Sequence, residues 1–157
     1  MKNRIEKTGF TPIDKNYSNK VQKSFDRQKA MNSLGITIEN IEPGRIELKM
    51  PYLEEYTQQH GFVHAGILST AMDSACGYAA FSLMPEEAAV LTIEYKLNLL
   101  APAKGDFFLV IGKVLKVGRT VIVCQAEAYS SEKGEQKLVA QMTGTMMTIV
   151  GRKGIEQ

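Results

Sequence analysis

The chain has 157 residues, 44% of them hydrophobic and 23% charged, which suits a single globular domain and argues against a disordered or fibrous chain. No apolar run approaches the eighteen residues that a membrane-spanning helix needs, and the first thirty residues lack the apolar core of a secretory signal. Cys76 and Cys124 are therefore expected to be free buried thiols in a reducing compartment, and a cytoplasmic protein with no membrane partner is the working frame. The net charge of +2 is uneven: residues 1–29 hold eight Lys/Arg against three Asp/Glu, so that arm carries +5 and the rest −3. The arm has no zinc-finger or RNA-binding pattern, and it reads as a solvated surface segment rather than a nucleic-acid contact.

In chain order, residues 1–16 are polar and aperiodic, a flexible lead-in. Residues 17–34 place Val21, Phe25, Met31 and Leu34 near one stripe, which predicts an amphipathic helix with Ser18 as its N-cap and Gly35 as its stop. Residues 35–150 form the main domain, and 151–157 a tail. Ile36–Ile41 and Arg45–Met50 alternate around Glu42-Pro43-Gly44, as in a hairpin. His64–Met84 is rich in Ala, Leu and Met and is closed by Pro85, which predicts the central helix.

Four strand-like runs follow. In Val90–Leu100, Leu91, Ile93, Tyr95, Leu97 and Leu99 alternate with polar residues, so one face is expected in the core and the other nearer water. Phe107–Val117 is nearly continuous apolar. Gly118-Arg119 turns it into Thr120–Ser130, and residues 132–135 turn that run into Gln136–Val150. Short turns imply antiparallel neighbours. The expected fold is α+β: an antiparallel sheet of about six strands wrapped around one central helix, with an extra N-terminal helix.

One residue stands out. Asp73 is the only Asp, Glu, Lys or Arg between Glu55 and Glu86, and it sits midway along the small, apolar helix. An enclosed carboxylate needs compensating donors or a raised pKa, and such a group suits a general base or nucleophile. The loop before the helix, Gln58 to Gly66, brings amides, both histidines and small residues to a helix N-terminus. Free N–H groups there can hold a carbonyl oxygen as it gains negative charge, and Ala65 and Gly66 let it come close. His64 and Asp73 are nine positions apart, about 13 Å along a helix, too far to act on one carbon. If both act, two copies of the chain must face each other. His60 and His64 have no Cys or acidic cluster beside them, so no metal is expected. Cys76 is a poor nucleophile because Asp73 lies three residues before it.

This pattern resembles the hotdog-fold acyl-CoA thioesterases, in particular the PaaI-like, phenylacetyl-CoA thioesterase-related branch. Gln58, Gly61, His64, Ala65, Gly66, Met72 and Asp73 follow that branch's helix-start motif with its His-to-acid interval. Ala65 stands where the first glycine of a His-Gly-Gly step is usual, and Gln58 where Asn is common. Thr92–Pro102 followed by Ala103, and the Gly118-Arg119 turn, are similar to later features of the family.

The resemblance implies hydrolysis of an acyl-CoA to a free acid and CoA. Asp73 would be the general base or nucleophile, and the Ala65 N–H the oxyanion donor. His64 would position the thioester, Gln58 the attacking water or the partner's carboxylate, and Thr92 the water. Gly66 and Arg119 would contact substrate or CoA. No cofactor is implied, since CoA belongs to the substrate, and the assembly would be a homodimer or a dimer of dimers. Two alternatives belong beside it: an acyl-thioester hydratase or dehydratase on the same fold, and a non-catalytic acyl-CoA-binding protein.

Overall fold

The computed structural model describes residues 8–155 and residue 157. Two short helices, α1 (Tyr17–Asp26) and α2 (Lys29–Ser33), precede the hairpin β1 (Thr37–Glu42) and β2 (Arg45–Pro51). A single 3₁₀ turn at Glu54–Tyr56 leads to the long helix α3 (Ala65–Phe81). Strands β3 (Ala88–Leu99), β4 (Phe107–Val117), β5 (Val121–Glu132) and β6 (Glu135–Val150) complete the chain. The six strands make one sheet in the order β1-β2-β4-β5-β6-β3, antiparallel at every step. The expected α+β architecture, a six-stranded sheet around one central helix, is the one observed. No helix among the described residues is long and apolar enough to cross a membrane.

Helix α3 is the axis of the core. Leu68, Ala71, Met72, Ala75, Cys76, Tyr78, Ala79, Ala80 and Phe81 are all buried on it, so it presents apolar surface to the sheet on one side and to the N-terminal helices on the other. Its small side chains let the backbone of β4 come very close. A Cβ on Gly112 would lie 2.3 Å from the carbonyl oxygen of Ala75, so only glycine fits this crossing. The far end of α3 is tied down twice. Ser82 Oγ donates to Ala79 O at 2.7 Å and accepts the Gly44 N–H at 2.8 Å. Lys20 Nζ donates to Met84 O at 2.7 Å and Pro85 O at 3.1 Å, placing positive charge at the negative end of the helix dipole. The same ammonium lies 4.5 Å from the Phe81 ring centroid and 3.5 Å from Asp14 Oδ2, which fastens α1 to the core.

Three expectations are corrected. The helix over 17–34 is two helices, because the chain leaves helical geometry at Gln28, whose backbone is extended. Ser18 is not its N-cap: the helix starts one residue earlier, after Asn16, without a side-chain cap. The strand at 90–100 does not bury its alternate face. Leu91, Ile93, Tyr95 and Leu99 are 43%, 49%, 44% and 59% exposed, because β3 is a sheet edge with one neighbour and carries a bulge between Thr92 and Glu94. Residues 1–7 of the expected lead-in lie outside the described residues. From Thr8 onward the segment packs on the β1–β2 turn, with Thr8 Oγ1 donating to Pro43 O at 2.5 Å.

The Gly112–Ala75 contact gives a stability prediction. Gly112→Ala forces α3 off the sheet and is expected to lower the unfolding free energy by at least about 2 kcal/mol in urea denaturation. An unchanged midpoint would mean that the helix does not seat as closely as described.

Candidate functional site

The loop before α3 is built by backbone hydrogen bonds within itself and to two other segments. Gly61 N–H donates to Gln58 O and Gln58 N–H to Phe62 O, both at 2.9 Å, closing a turn in which Gly61 has a φ of +75°. Val63 N–H then donates to Ala103 O, and His64 N–H to Tyr56 O, both at 2.8 Å. These bonds fix the point where the chain enters the helix.

The donors of the first helical turn can be accounted for one by one. Gly66 N–H is capped by His64 Nδ1 at 3.0 Å. Ile67 and Leu68 both donate to His64 O, at 3.0 and 3.2 Å. Ala65 N–H has no acceptor among the described residues, and Ala65 lines a cavity of about 640 Å³. Because His64 Nδ1 accepts a hydrogen bond, the neutral ring carries its proton on Nε2 and offers it as a donor. Gln58 Oε1 accepts the His60 N–H, which leaves the Gln58 amide N–H groups free. Apart from Gln59 the rest of the cavity is apolar, with Phe62, Val63, Leu68, Leu99, Leu100 and Ala103 among its walls.

Asp73 lies farther along α3, half-buried, on the side of the edge strand. In β3, Thr92 pairs with the buried Met146 of β6, which turns its side chain toward the helix. Thr92 Oγ1 donates to Asp73 Oδ1 at 2.8 Å. Burial raises the Asp73 pKa above its ordinary value, and the Thr92 hydrogen bond offsets part of that rise by favouring the charged form. Asp73 and Thr92 line a second, smaller cavity of about 190 Å³ together with Gln28, Ser74, Gly77, Tyr78, Val90, Leu91 and Gln157.

The predicted site thus falls into two halves within one chain. Gln58, His64 and Ala65 share the larger cavity, Asp73 and Thr92 share the smaller, and no residue lines both. Gly66 N–H is taken by His64, and a Cβ there would sit 3.2 Å from His64 Nδ1, so glycine makes room for the cap. Arg119 is exposed on the β4–β5 turn and lines neither cavity. Cys76 and Cys124 are buried, with burial pushing the Cys76 thiol well up and the Cys124 thiol to about 12, so neither is a ready nucleophile. Among the described residues no three His, Cys, Asp or Glu side chains are grouped to hold a metal ion.

Sequence reasoning missed the wall behind Asp73. Gln28, from the break between α1 and α2, and Tyr78 line the Asp73 cavity, and Ser24 Oγ is 3.2 Å from the buried Tyr78 hydroxyl. The available signal was Tyr78 itself, a phenol in an otherwise apolar helix that must find a partner when buried.

Comparison with known proteins points to one family. The profile of the Thioesterase superfamily matches residues 60–137. An inferred esterase of Saccharolobus solfataricus is 39% identical over 94 residues, covering 60% of this chain and 66% of that protein. Human acyl-coenzyme A thioesterase 13 is 29% identical over 108 residues, covering 68% and 74%. The crystal structure of a thioesterase family protein from Silicibacter pomeroyi superposes with a TM-score of 0.85 at 56% identity, over 86% of this chain and 99% of that one. The PaaI protein of Escherichia coli, at 23% identity and a TM-score of 0.78, shares the fold.

The Asp73 environment has a consequence for stability. A carboxyl whose pKa rises on folding favours the folded state while protonated and opposes it once ionised, so its benefit is lost as pH rises through the folded pKa. Asp73→Asn is therefore expected to raise Tm at pH 7, by a margin that shrinks toward about pH 4. Thr92→Val removes the compensating donor and should move the Asp73 titration, followed by carboxyl-carbon NMR, to higher pH. A downward shift would show that Thr92 does not favour the ionised form.

Proposed function

The chain belongs to the thioesterase superfamily and is a thioester hydrolase, and we propose that its substrate is an acyl-CoA, cleaved to the free acid and CoA in a site shared by two copies of the chain. The observation that carries this reading is the one unpartnered donor of the first turn of α3, Ala65 N–H, opening on one cavity while the sole acid of the helix faces another.

The edge strand supports joining the two halves across a dimer. β3 has one side unpaired and shows Leu91, Ile93 and Tyr95 to solvent in the isolated chain, as an edge awaiting a neighbour would. Its two ends mark the two half-sites: Thr92 near the start lines the acid cavity, and Leu99 at the end lines the amide cavity. These residues are about 23 Å apart along the strand. Antiparallel pairing of two β3 strands about a two-fold axis near Tyr95 reverses the ends, so Thr92 of one copy lies beside Asn98 of the other. Each acid cavity then abuts the neighbour's amide cavity.

In the joined site the thioester carbonyl oxygen lies against Ala65 N–H, helped by the helix dipole and by His64 Nε2–H. Thr92 occupies Asp73 Oδ1, which leaves Oδ2 to act. As general base it takes a proton from water while the hydroxide adds to the carbonyl carbon; as nucleophile it adds itself, and water cleaves the resulting anhydride. In either course the tetrahedral adduct collapses, the C–S bond breaks, and the CoA thiolate leaves and is protonated. The Gln58 amide orients the water. The raised Asp73 pKa brings the base nearer to neutrality, where proton transfer is more effective.

Thiol release over an acyl-CoA panel tests this. Asp73→Asn is expected to lower kcat by about 10²- to 10⁴-fold on any substrate that is cleaved. The acid limb of the wild-type pH profile should fall above the usual carboxylate range, and Thr92→Val should shift it upward. Turnover by Asp73→Asn equal to that of wild type would remove the carboxylate from the chemistry. Consumption of an enoyl-CoA without thiol release would point to a hydratase instead.

A further inference from the structure

Part of the wall behind Asp73 comes from elements outside the stretch that the family profile matches. That stretch begins at residue 60, whereas α1 and α2 span 17–33. The break between them puts Gln28 at the start of α2 with extended backbone, and its side chain makes no capping bond. It lines the crevice instead, beside Tyr78. Tyr78 cannot turn away: its ring packs on Phe25 at 5.5 Å between centroids and its hydroxyl sits 3.2 Å from Ser24 Oγ. The crevice therefore has a fixed phenol with the Gln28 carboxamide hydrogen-bonded beside it.

Chemistry and size separate this crevice from the larger cavity. Its lining is mostly polar, whereas the larger cavity is lined mainly by apolar residues. At about 190 Å³ it has room for a group of about six heavy atoms, taking a water's 30 Å³ share of the liquid as the unit. Gly77 and Tyr78 give it a buried wall behind the exposed Leu91 and Thr92, while the larger cavity opens between the exposed Gln59, His64, Leu99 and Pro102. The two arms of a CoA thioester differ in the same way. The CoA arm is long and must reach solvent, and the acyl arm can be enclosed.

Resting on the thioesterase reading above, we propose that the Asp73 crevice is the acyl pocket and that Gln28 is a specificity residue, selecting short acyl groups whose far end carries a hydroxyl or carbonyl oxygen. A plain alkyl end would leave the Gln28 N–H that Tyr78 does not take without an acceptor, and a site built to hydrogen-bond an oxygen discriminates strongly against the group that lacks it. A long chain does not fit at all.

The experiment measures kcat/KM by thiol release for hexanoyl-, ω-hydroxyhexanoyl- and decanoyl-CoA. Wild type is compared with Gln28→Met and with Tyr78→Phe, which keeps the ring packing. Wild type is expected to favour the hydroxylated over the plain six-carbon chain by at least about tenfold and to cleave decanoyl-CoA slowest. Gln28→Met should bring the first ratio toward one, chiefly through KM for the hydroxylated substrate. Decanoyl-CoA cleaved fastest, or a ratio unchanged in both folded variants, overturns the pocket assignment while leaving thioester hydrolysis intact. No thiol release from any substrate by wild type overturns both.

Discussion

The structure turns on a single hydrogen bond in an unfavourable place, from the Thr92 hydroxyl to the Asp73 carboxylate at 2.8 Å. Asp73 interrupts a helix that is otherwise small and apolar, and taking its charge partly out of water raises its pKa. One neutral donor lowers that pKa only in part. The carboxylate is thus held as a base stronger than a solvated aspartate, with one oxygen engaged and the other open. Stability is given up at this position, which suits the reactive role proposed for Asp73.

A second constraint follows from helix geometry. The N-terminus of α3 offers a free N–H at Ala65, but the acid lies eight residues on, about 12 Å along the same rod. No bending of a packed helix closes that gap. The edge strand β3 runs from beside the acid to beside the free amide, and its unpaired side is apolar where two copies would meet. An antiparallel pairing of such edges is the simplest way to bring base and oxyanion donor to one carbon. On the proposed dimer, assembly and chemistry would depend on the same strand.

Much of this was legible from residue types. The central helix was readable because Ala65–Phe81 is rich in small and apolar residues and holds no proline, and the last three strands because their turns are short and glycine-bearing. Asp73 was readable because it is alone. The break at Gln28 was not, since nothing in the local sequence opposes a continued helix there. The extended backbone at Gln28 carries no glycine or proline marker. The face of β3 was misread for a different reason: alternation reports that a face avoids water, without saying whether a core or another subunit covers it. The wall formed by Ser24, Gln28 and Tyr78 joins residues fifty positions apart in sequence, a juxtaposition that depends on how α1 docks against α3. Lys20, reaching the carbonyls of Met84 and Pro85, is one of the bonds that sets that docking.

The shared site is tested most directly by mixing two defective subunits. Asp73→Asn removes the base. Ala65→Pro deletes only the N–H, because proline is accepted at the first helical position and His64 already has the extended backbone that a following proline requires. Each homomeric protein should be nearly inactive. Unfolded together and refolded, the mixture forms hybrids in which one of the two sites pairs an intact Asp73 with an intact Ala65 from the other subunit. The account predicts recovery of about a quarter of wild-type thiol release, since about half of the randomly paired dimers are hybrids with one good site each. A mixture that stays as inactive as its parents, with hybrids shown to be present, would contradict it.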